Sequence, residues 1–241
     1  MEVIRKLAAK AADIGGKEGV TIAFLGDSVT QGCFGVYYKN NGAIETVFDK
    51  RYSYEAYVFE LLCMLYPSAT VNIINAGISG DRAPRGLARL ERDVLRHQPD
   101  LTVVCYGLND CSDEADSIER YVTALGNIFD EVRKSGSELI FMTPNMMNTD
   151  VSPHLTDPRL RALAEALANK QNSGLFDAHI DAARALCRER GVILCDCYAI
   201  WKKLHESGVE VTELLSNKLN HPTRDMNRLF AQELVRTMFE C

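Results

Sequence analysis

Five short apolar segments, separated by stretches of helical periodicity, constrain the fold of this chain more than any other feature. Each segment is almost continuously apolar, which is typical of strands that are covered on both faces. Between them, apolar side chains recur at helical spacing, most clearly from Ile118 to Val132. Strands that alternate with helices predict an α/β fold in which helical layers cover a parallel sheet. The predicted strands are 20–25, 70–75, 101–106, 138–143 and 192–197.

The chain is organised as one main domain. No low-complexity linker or internal repeat divides its 241 residues, and we expect this domain to span 20–241. Residues 1–19 carry charges among their apolar positions and predict a short surface helix that ends at Gly15 and Gly16.

Two insertions interrupt the alternation of strands and helices. Residues 33–52 predict a β-hairpin around Asn41-Gly42, which fits either a pocket wall or a contact in a homo-oligomer. Residues 144–158 predict a long polar loop at the carboxyl end of the fourth strand, where parallel sheets bind ligands. The insertions carry aromatic and amide side chains that suit a sugar better than a long acyl chain: Tyr37, Tyr38, Asn40, Asn41, Asn145 and Asn148.

Composition narrows the function classes. The net charge is −6 and no basic cluster stands out, which argues against nucleic acid as a partner. No apolar run reaches the length of a membrane span, and the first residues lack the apolar core of a signal peptide. We therefore expect a cytoplasmic protein whose eight cysteines stay reduced. Cys195 and Cys197 lack a second pair at ligand spacing, so no metal site is expected.

The first predicted strand runs directly into Gly26-Asp27-Ser28. A glycine permits a sharp turn there, so that the Ser28 hydroxyl points out of the sheet. Taken alone, the three residues are more typical of a helix cap than of an active site. Further small or polar residues at the ends of other predicted elements favour a site at the same sheet edge: Gly77, Asn109, Asp110 and His221.

These segments carry a family resemblance. The blocks GDSVTQG, the turn at Gly77, GLND and the HP at His221 appear in order between residues 20 and 230. In these four blocks the chain resembles the SGNH hydrolase superfamily, which comprises the GDSL-type esterases and lipases. The resemblance implies a flavodoxin-like three-layer α/β/α sandwich with five parallel strands in the order 2-1-3-4-5. It also implies that Ser28 is the nucleophile, that His221 is the general base, and that Ser28, Gly77 and Asn109 form the oxyanion hole.

One position departs from the family pattern. The family usually has an aspartate three residues before the histidine, and Lys218 stands there. Asn217, one residue earlier, can orient the His221 ring but brings no negative charge. Asp27 is expected to hold the turn around Ser28 by accepting backbone N–H groups, and Asp110 to brace its own loop. Of the remaining histidines, we expect His179 at the surface and consider His154 for a substrate contact.

The resemblance implies a serine esterase that needs neither metal nor organic cofactor. Its expected substrate is a small carboxylic ester, with an acetylated carbohydrate favoured by the polar insertions. A lysophospholipase or acyl-thioesterase shares the same residues and differs in its acyl pocket. A binding protein that has kept the esterase fold is a further alternative, because the orienting acid is missing.

Overall fold

The computed structural model describes residues 1–241, and its centre is a five-stranded parallel sheet. The spatial order of the sheet strands is β4-β1-β5-β6-β7. Counting only these five strands, the order is 2-1-3-4-5, which confirms the predicted fold class and strand order. The sheet strands are β1 (Val20–Gly26), β4 (Val71–Gly77), β5 (Leu101–Cys105), β6 (Glu138–Met142) and β7 (Ile193–Cys195). The remaining two strands, β2 (Cys33–Tyr38) and β3 (Ile44–Phe48), form a separate antiparallel hairpin.

Nine α-helices accompany the strands, in three groups. Before β4 lie α1 (Glu2–Ala12), α2 (Ser28–Gln31) and α3 (Tyr54–Leu65). The middle of the chain contributes α4 (Ala83–Asp93), α5 (Ser117–Lys134), α6 (Pro158–Asn172) and α7 (Leu175–Arg190). The last two helices are α8 (Cys197–Glu206) and α9 (Arg224–Glu240). None of the helices combines the length and the apolar character that crossing a membrane requires.

Strand β1 shows why these segments are apolar without alternation. Its side chains point alternately to the two faces of the sheet. Ile22 and Phe24 pack into the core beneath α3 and α9, whereas Ala23 and Leu25 pack into the core beneath α4 and α5. All four side chains have no exposed surface. Both faces of the sheet are therefore covered, as the sequence pattern predicted.

The N-terminal helix is more deeply embedded than the sequence suggests. Val3 and Leu7 of α1 are 1% and 0% exposed and join the larger apolar core. The Glu138 carboxylate, at the start of β6, accepts the backbone N–H of Val3 at 2.6 Å. The helix still lies at the surface, as expected, with six of its 11 residues exposed, while its apolar face closes one side of the core.

The segment between β6 and α6 is a loop, as expected, but it is not a solvated one. Asn145 and Asn148 are both fully buried. The Asn145 Nδ2 atom donates to the backbone oxygens of Met146 and Asn220, at 2.7 and 2.8 Å. Asn148 Nδ2 donates to the backbone oxygens of Asp150 and Ala164, both at 2.8 Å. The expectation that these two amides meet a substrate is wrong, because both are used to hold loop backbone.

Candidate active site

The Ser28 turn is a sharp strand-to-helix connection at the carboxyl end of β1. Asp27 caps α2, because its Oδ1 accepts the backbone N–H of Val29 at 2.9 Å. Gly26 is required by close packing, since a Cβ there would lie 2.1 Å from Thr30 Oγ1 and 2.7 Å from the Cys105 carbonyl oxygen. Ser28 is the first residue of α2, and its backbone N–H donates to no protein acceptor. The turn therefore holds a serine hydroxyl and a free N–H at one point.

The imidazole of His221 lies directly against Ser28. Its Nε2 atom is 2.9 Å from Ser28 Oγ, although the two residues are 193 positions apart in the chain. The two residues are 4% and 3% exposed. Burial lowers the pKa of His221 to about 4, because no negative charge offsets the loss of hydration of an imidazolium. The ring is neutral at pH 7 and can accept a proton at one nitrogen.

A compact loop before α9 presents His221. The backbone N–H of Ser216 donates to the His221 carbonyl at 2.7 Å, and Leu215 forms an isolated antiparallel bridge with Pro222. Asn217 is enclosed by this loop and is 8% exposed. Its Nδ2 atom is 3.1 Å from Nδ1 of His221, on the side of the ring away from Ser28.

Lys218 occupies the family's acid position in the sequence but does not contact the ring. Its backbone has φ = 57°, a left-handed conformation that few non-glycine residues adopt. The side chain turns outward, and its Nζ pairs with the Glu213 carboxylate at 2.7 Å. Asn217, rather than Lys218, therefore occupies the position next to Nδ1 of His221 that an orienting acid would take.

Gly77 ends β4 beside the Ser28 turn, and its N–H already has a partner. Asn75 Oδ1 accepts that N–H at 3.0 Å. Asn75 Nδ2 donates to the Thr30 carbonyl at 2.8 Å and also to the Glu55 carboxylate. A Cβ at Gly77 would lie 2.3 Å from the backbone nitrogen of Gln31. Gly77 therefore has a packing role, since it lets β4 and α2 approach each other.

The next glycine along the chain, Gly80, differs from Gly77. Its φ is +74°, no atom lies within 4 Å of a Cβ built there, and its N–H donates to no protein acceptor. The carbonyl of the adjacent Asp81 accepts Asn109 Nδ2 at 3.0 Å. The free Gly80 N–H therefore belongs to the residue just before the one whose carbonyl Asn109 binds, and Gly80 was not among the site residues predicted from the sequence.

Asn109 and the two predicted supporting carboxylates meet at the same edge. Asn109 Nδ2 also reaches Asp27 Oδ2 at 3.3 Å, so that this amide links the ends of β1 and β5. Asp110 Oδ1 accepts the backbone N–H of Ala83 at 2.9 Å and so holds the start of α4. Burial raises the pKa of Asp27 to about 7 and that of Asp110 to about 6.

Arg89 organises this edge and was missed from the sequence. It is 7% exposed, and its guanidinium donates to the carbonyls of Ala76 and Gly26, at 2.6 and 3.0 Å. It also pairs with Asp81 at 2.7 Å and bonds the Tyr106 hydroxyl at 2.9 Å. The signal available in the sequence was an arginine within the apolar stripe of α4, a position that a solvated arginine avoids.

Neither of the two other histidines considered from the sequence forms a hydrogen bond with Ser28. His154 is exposed in the loop before α6. His179 is fully buried, and its Nδ1 bonds the Leu175 carbonyl at 2.9 Å, so the expectation of a surface position is wrong. It packs at 6.1 Å, centroid to centroid, from the Tyr121 ring and serves the core.

The chain is similar in sequence to a known esterase. An acetylxylan esterase from Geobacillus stearothermophilus is 29% identical over 135 residues, which are 52% of this chain and 60% of the relative. The chain thus spans about 60% of the length of the curated relative that it matches.

Solved structures share the fold. That of Axe2, an acetylxylan esterase from Geobacillus stearothermophilus, superposes with a TM-score of 0.65 at 21% identity over 92% of this chain and 94% of that one. The acetyl xylan esterase AlAXEase gives a TM-score of 0.66 at 19% identity over 90% and 98% of the two chains.

The family model described as GDSL-like Lipase/Acylhydrolase matches residues 24–229. This range holds the Ser28 turn, the edge residues around Asn109 and the His221 loop, which confirms the resemblance read from the sequence. The chain belongs to the GDSL-like lipase/acylhydrolase family.

Proposed function

We propose that the protein hydrolyses a small carboxylic ester through an acyl-enzyme on Ser28. The observation that carries the proposal is the 2.9 Å contact between Ser28 Oγ and His221 Nε2 in a buried site. A serine hydroxyl is a weak nucleophile until an adjacent base removes its proton, and a neutral imidazole supplies that base. The matched family, which hydrolyses acyl bonds, supports the same reaction class.

In the acylation step, Ser28 Oγ attacks the ester carbonyl carbon while its proton passes to His221 Nε2. The tetrahedral intermediate then collapses, the bond to the alcohol breaks, and His221 returns the proton to the leaving oxygen. Water repeats the sequence on the acyl-enzyme, with His221 again as base, and releases the acid. These steps balance without a metal ion or an organic cofactor.

The oxyanion of that intermediate needs donors fixed before the reaction. The free N–H of Ser28 and Nδ2 of Asn109 are proposed as two of them. Both hydrogens of that amide already have partners, so one of them would have to leave Asp27 Oδ2 or the Asp81 carbonyl. For the third we keep Gly77, whose N–H would have to leave Asn75 Oδ1, and add Gly80, whose N–H is free. The bonds from Asn109 to Asp27 and Asp81 hold this amide in place at the sheet edge.

The proposed substrate is an acetyl ester, with an acetylated carbohydrate as the favoured class. The acetylxylan esterases described above support it by their names. The 4% exposure of Ser28 favours a small acyl group over a long one. A lysophospholipase or acyl-thioesterase is the second candidate of the same chemistry. The proposal extends to action in the cytoplasm on a free small molecule, with neither nucleic acid nor membrane as partner.

The test is hydrolysis of acetylated xylooligosaccharides and of p-nitrophenyl esters by the native protein and by Ser28→Ala. We expect turnover of the acetyl esters to fall to background in Ser28→Ala and to stay native in Ser68→Ala, an exposed serine used as the control. Native turnover by Ser28→Ala would overturn the assignment of the nucleophile. Preference for acyl chains of about eight carbons or more would overturn the acetyl-ester proposal and favour the second candidate.

A further inference from the structure

The orientation of the Asn217 amide is set by three backbone donors. Its Oδ1 accepts the N–H groups of Leu219, Asn220 and His221, at 3.1, 3.0 and 2.9 Å. Only the oxygen of an amide can accept a hydrogen bond. Turning the amide over would place its NH₂ group against three N–H donors within a buried loop, so the assignment of oxygen and nitrogen follows from the backbone.

The NH₂ group of Asn217 consequently points at the catalytic ring. One of its hydrogens is directed to Asn220 Oδ1 at 3.1 Å and the other to His221 Nδ1 at 3.1 Å. Because the amide nitrogen can only donate, Nδ1 has to be the acceptor. In a neutral imidazole the proton then resides on Nε2, which faces Ser28 Oγ. This arrangement is the reverse of that made by an orienting carboxylate.

We propose that Asn217 is a positioning residue that holds His221 in the Nε2–H tautomer and thereby sets the rate of acyl transfer. The proposal rests on the proposed function. In the resting state the His221 ring donates to the Ser28 hydroxyl and cannot take its proton. Reaction proceeds from the minor population in which the ring proton has moved to Nδ1.

Moving the ring proton from Nε2 to Nδ1 costs free energy because of the contact with Asn217. With a proton on Nδ1, the ring N–H and the Asn217 NH₂ group face each other as two donors in a site closed to water. The imidazolium formed during reaction has the same conflict and receives no negative charge. In the serine-protease triad, an asparagine in place of the orienting aspartate imposes the wrong tautomer and lowers turnover about 10⁴-fold. The loop around Asn217 likewise presents an NH₂ donor to Nδ1 of His221.

A carboxylate can replace the amide without changing the backbone contacts. In Asn217→Asp, one oxygen would keep the three N–H bonds and the other would accept Nδ1–H, which frees Nε2 to act as base. We expect kcat/KM for an acetyl ester to rise by at least about 10-fold, mainly through kcat. Ser216→Asp is the matched control, because it adds the same charge at an exposed position of the same loop whose side chain bonds neither Asn217 nor His221. We expect no gain from it.

The tautomer is also measurable in the native protein without turnover. In ¹⁵N-edited NMR spectra of ring-labelled histidine, with His221→Gln for assignment, we expect the proton of His221 on Nε2 and a pyridine-type Nδ1. A protonated Nδ1 in the native protein would overturn the proposal. So would a folded Asn217→Asp variant whose kcat/KM is unchanged or lower.

The double variant Ser28→Ala/Asn217→Asp separates this proposal from the proposed function. If the gain from Asn217→Asp vanishes in the double variant, both proposals stand. If turnover and its gain persist without Ser28, the proposed function fails, while the NMR result still decides the tautomer.

Discussion

The two halves of the proposed catalytic pair are held by opposite kinds of chemistry. The Ser28 turn is braced by buried carboxyl groups: Asp27 caps α2, and Glu55 bonds Asn75, which in turn holds the backbone of Thr30 and Gly77. The His221 loop is braced by neutral amides instead: Asn217 and Asn145 bond its backbone. The proposed nucleophile, Ser28, is therefore held by groups that titrate, and the proposed base, His221, by groups that do not.

The two kinds of group are expected to affect different properties of the protein, its stability and its rate of reaction. Amides let the histidine loop stay buried at little electrostatic cost, but they give His221 no charge that would favour its protonated form. The carboxyl groups under the Ser28 turn carry raised pKa values and make that side sensitive to pH near neutrality. Changes to the groups that hold His221 are thus expected to alter the rate, and changes to the groups that hold the Ser28 turn are expected to alter stability.

The largest effect is expected from removal of the base. His221→Gln keeps a buried polar side chain but cannot accept the Ser28 proton, so kcat for an acetyl ester should fall by at least about 10²-fold, within the range measured for general bases. Steady-state kinetics would measure it. His97→Gln, at an exposed histidine that follows α4, is the control and should remain native. Equal rates for the two variants would break the assignment of roles.

The serine side is expected to respond in stability to Gly77→Ala. The added Cβ would lie 2.3 Å from Gln31 N and 2.7 Å from the Thr30 carbonyl carbon, so backbone has to move. We expect a loss of about 1–3 kcal/mol in the free energy of unfolding, the usual cost of overpacking. Urea unfolding would measure it.

Gly42→Ala serves as the comparison for that variant. Its φ is +82° but its surroundings are open, so only conformational strain of about 1 kcal/mol is expected. A Gly77→Ala protein as stable as the native one would show that β4 and α2 are not in the close contact described.

A further effect, no larger than that of Gly77→Ala, is expected from Glu55→Gln and concerns the pH dependence of stability. Burial raises the pKa of Glu55 to about 7 from an ordinary value of 4.5. A carboxyl whose folded pKa is raised stabilises the fold fully below pH 4.5, and this stabilisation is lost as the pH rises through 7. Between pH 5 and 8 the native protein should therefore lose about 2 kcal/mol more stability than Glu55→Gln.

Urea midpoints at pH 5 and pH 8 would measure that difference. Parallel losses in the two proteins would show that Glu55 titrates normally. Asn72→Asp, on the partly exposed edge of β4, controls for a change of charge near the same strand.

The sheet and the Ser28 turn were predictable because their signals are local. Apolar segments covered on both faces specify the strands, and a glycine followed by a cap residue specifies the turn. The meeting of Ser28 with His221 was anticipated from the family resemblance, since no local pattern links residues that far apart. Strand ends moved by one or two residues; β4, for example, continues to Gly77.

The contacts made by amides were predicted only in part: Asn217 was expected to orient the His221 ring, but its three backbone donors and the burial of Asn145 and Asn148 were not foreseen. Asn145, Asn148 and Asn217 are polar in the sequence, and polar loops are usually solvated. In the structure they supply the hydrogen bonds that buried loop backbone requires. Which atom of Asn217 faces the ring depends on three N–H groups whose directions exist only once the loop has folded.

The assignment of Ser28 as the nucleophile is tested most directly by mapping which residue of the native protein a fluorophosphonate probe modifies. We expect mass spectrometry of the digested protein to find one phosphonylated residue, Ser28. This modification should be absent from Ser28→Ala and from heat-unfolded protein. An adduct on another residue, or none, in a preparation that hydrolyses acetyl esters would contradict the assignment.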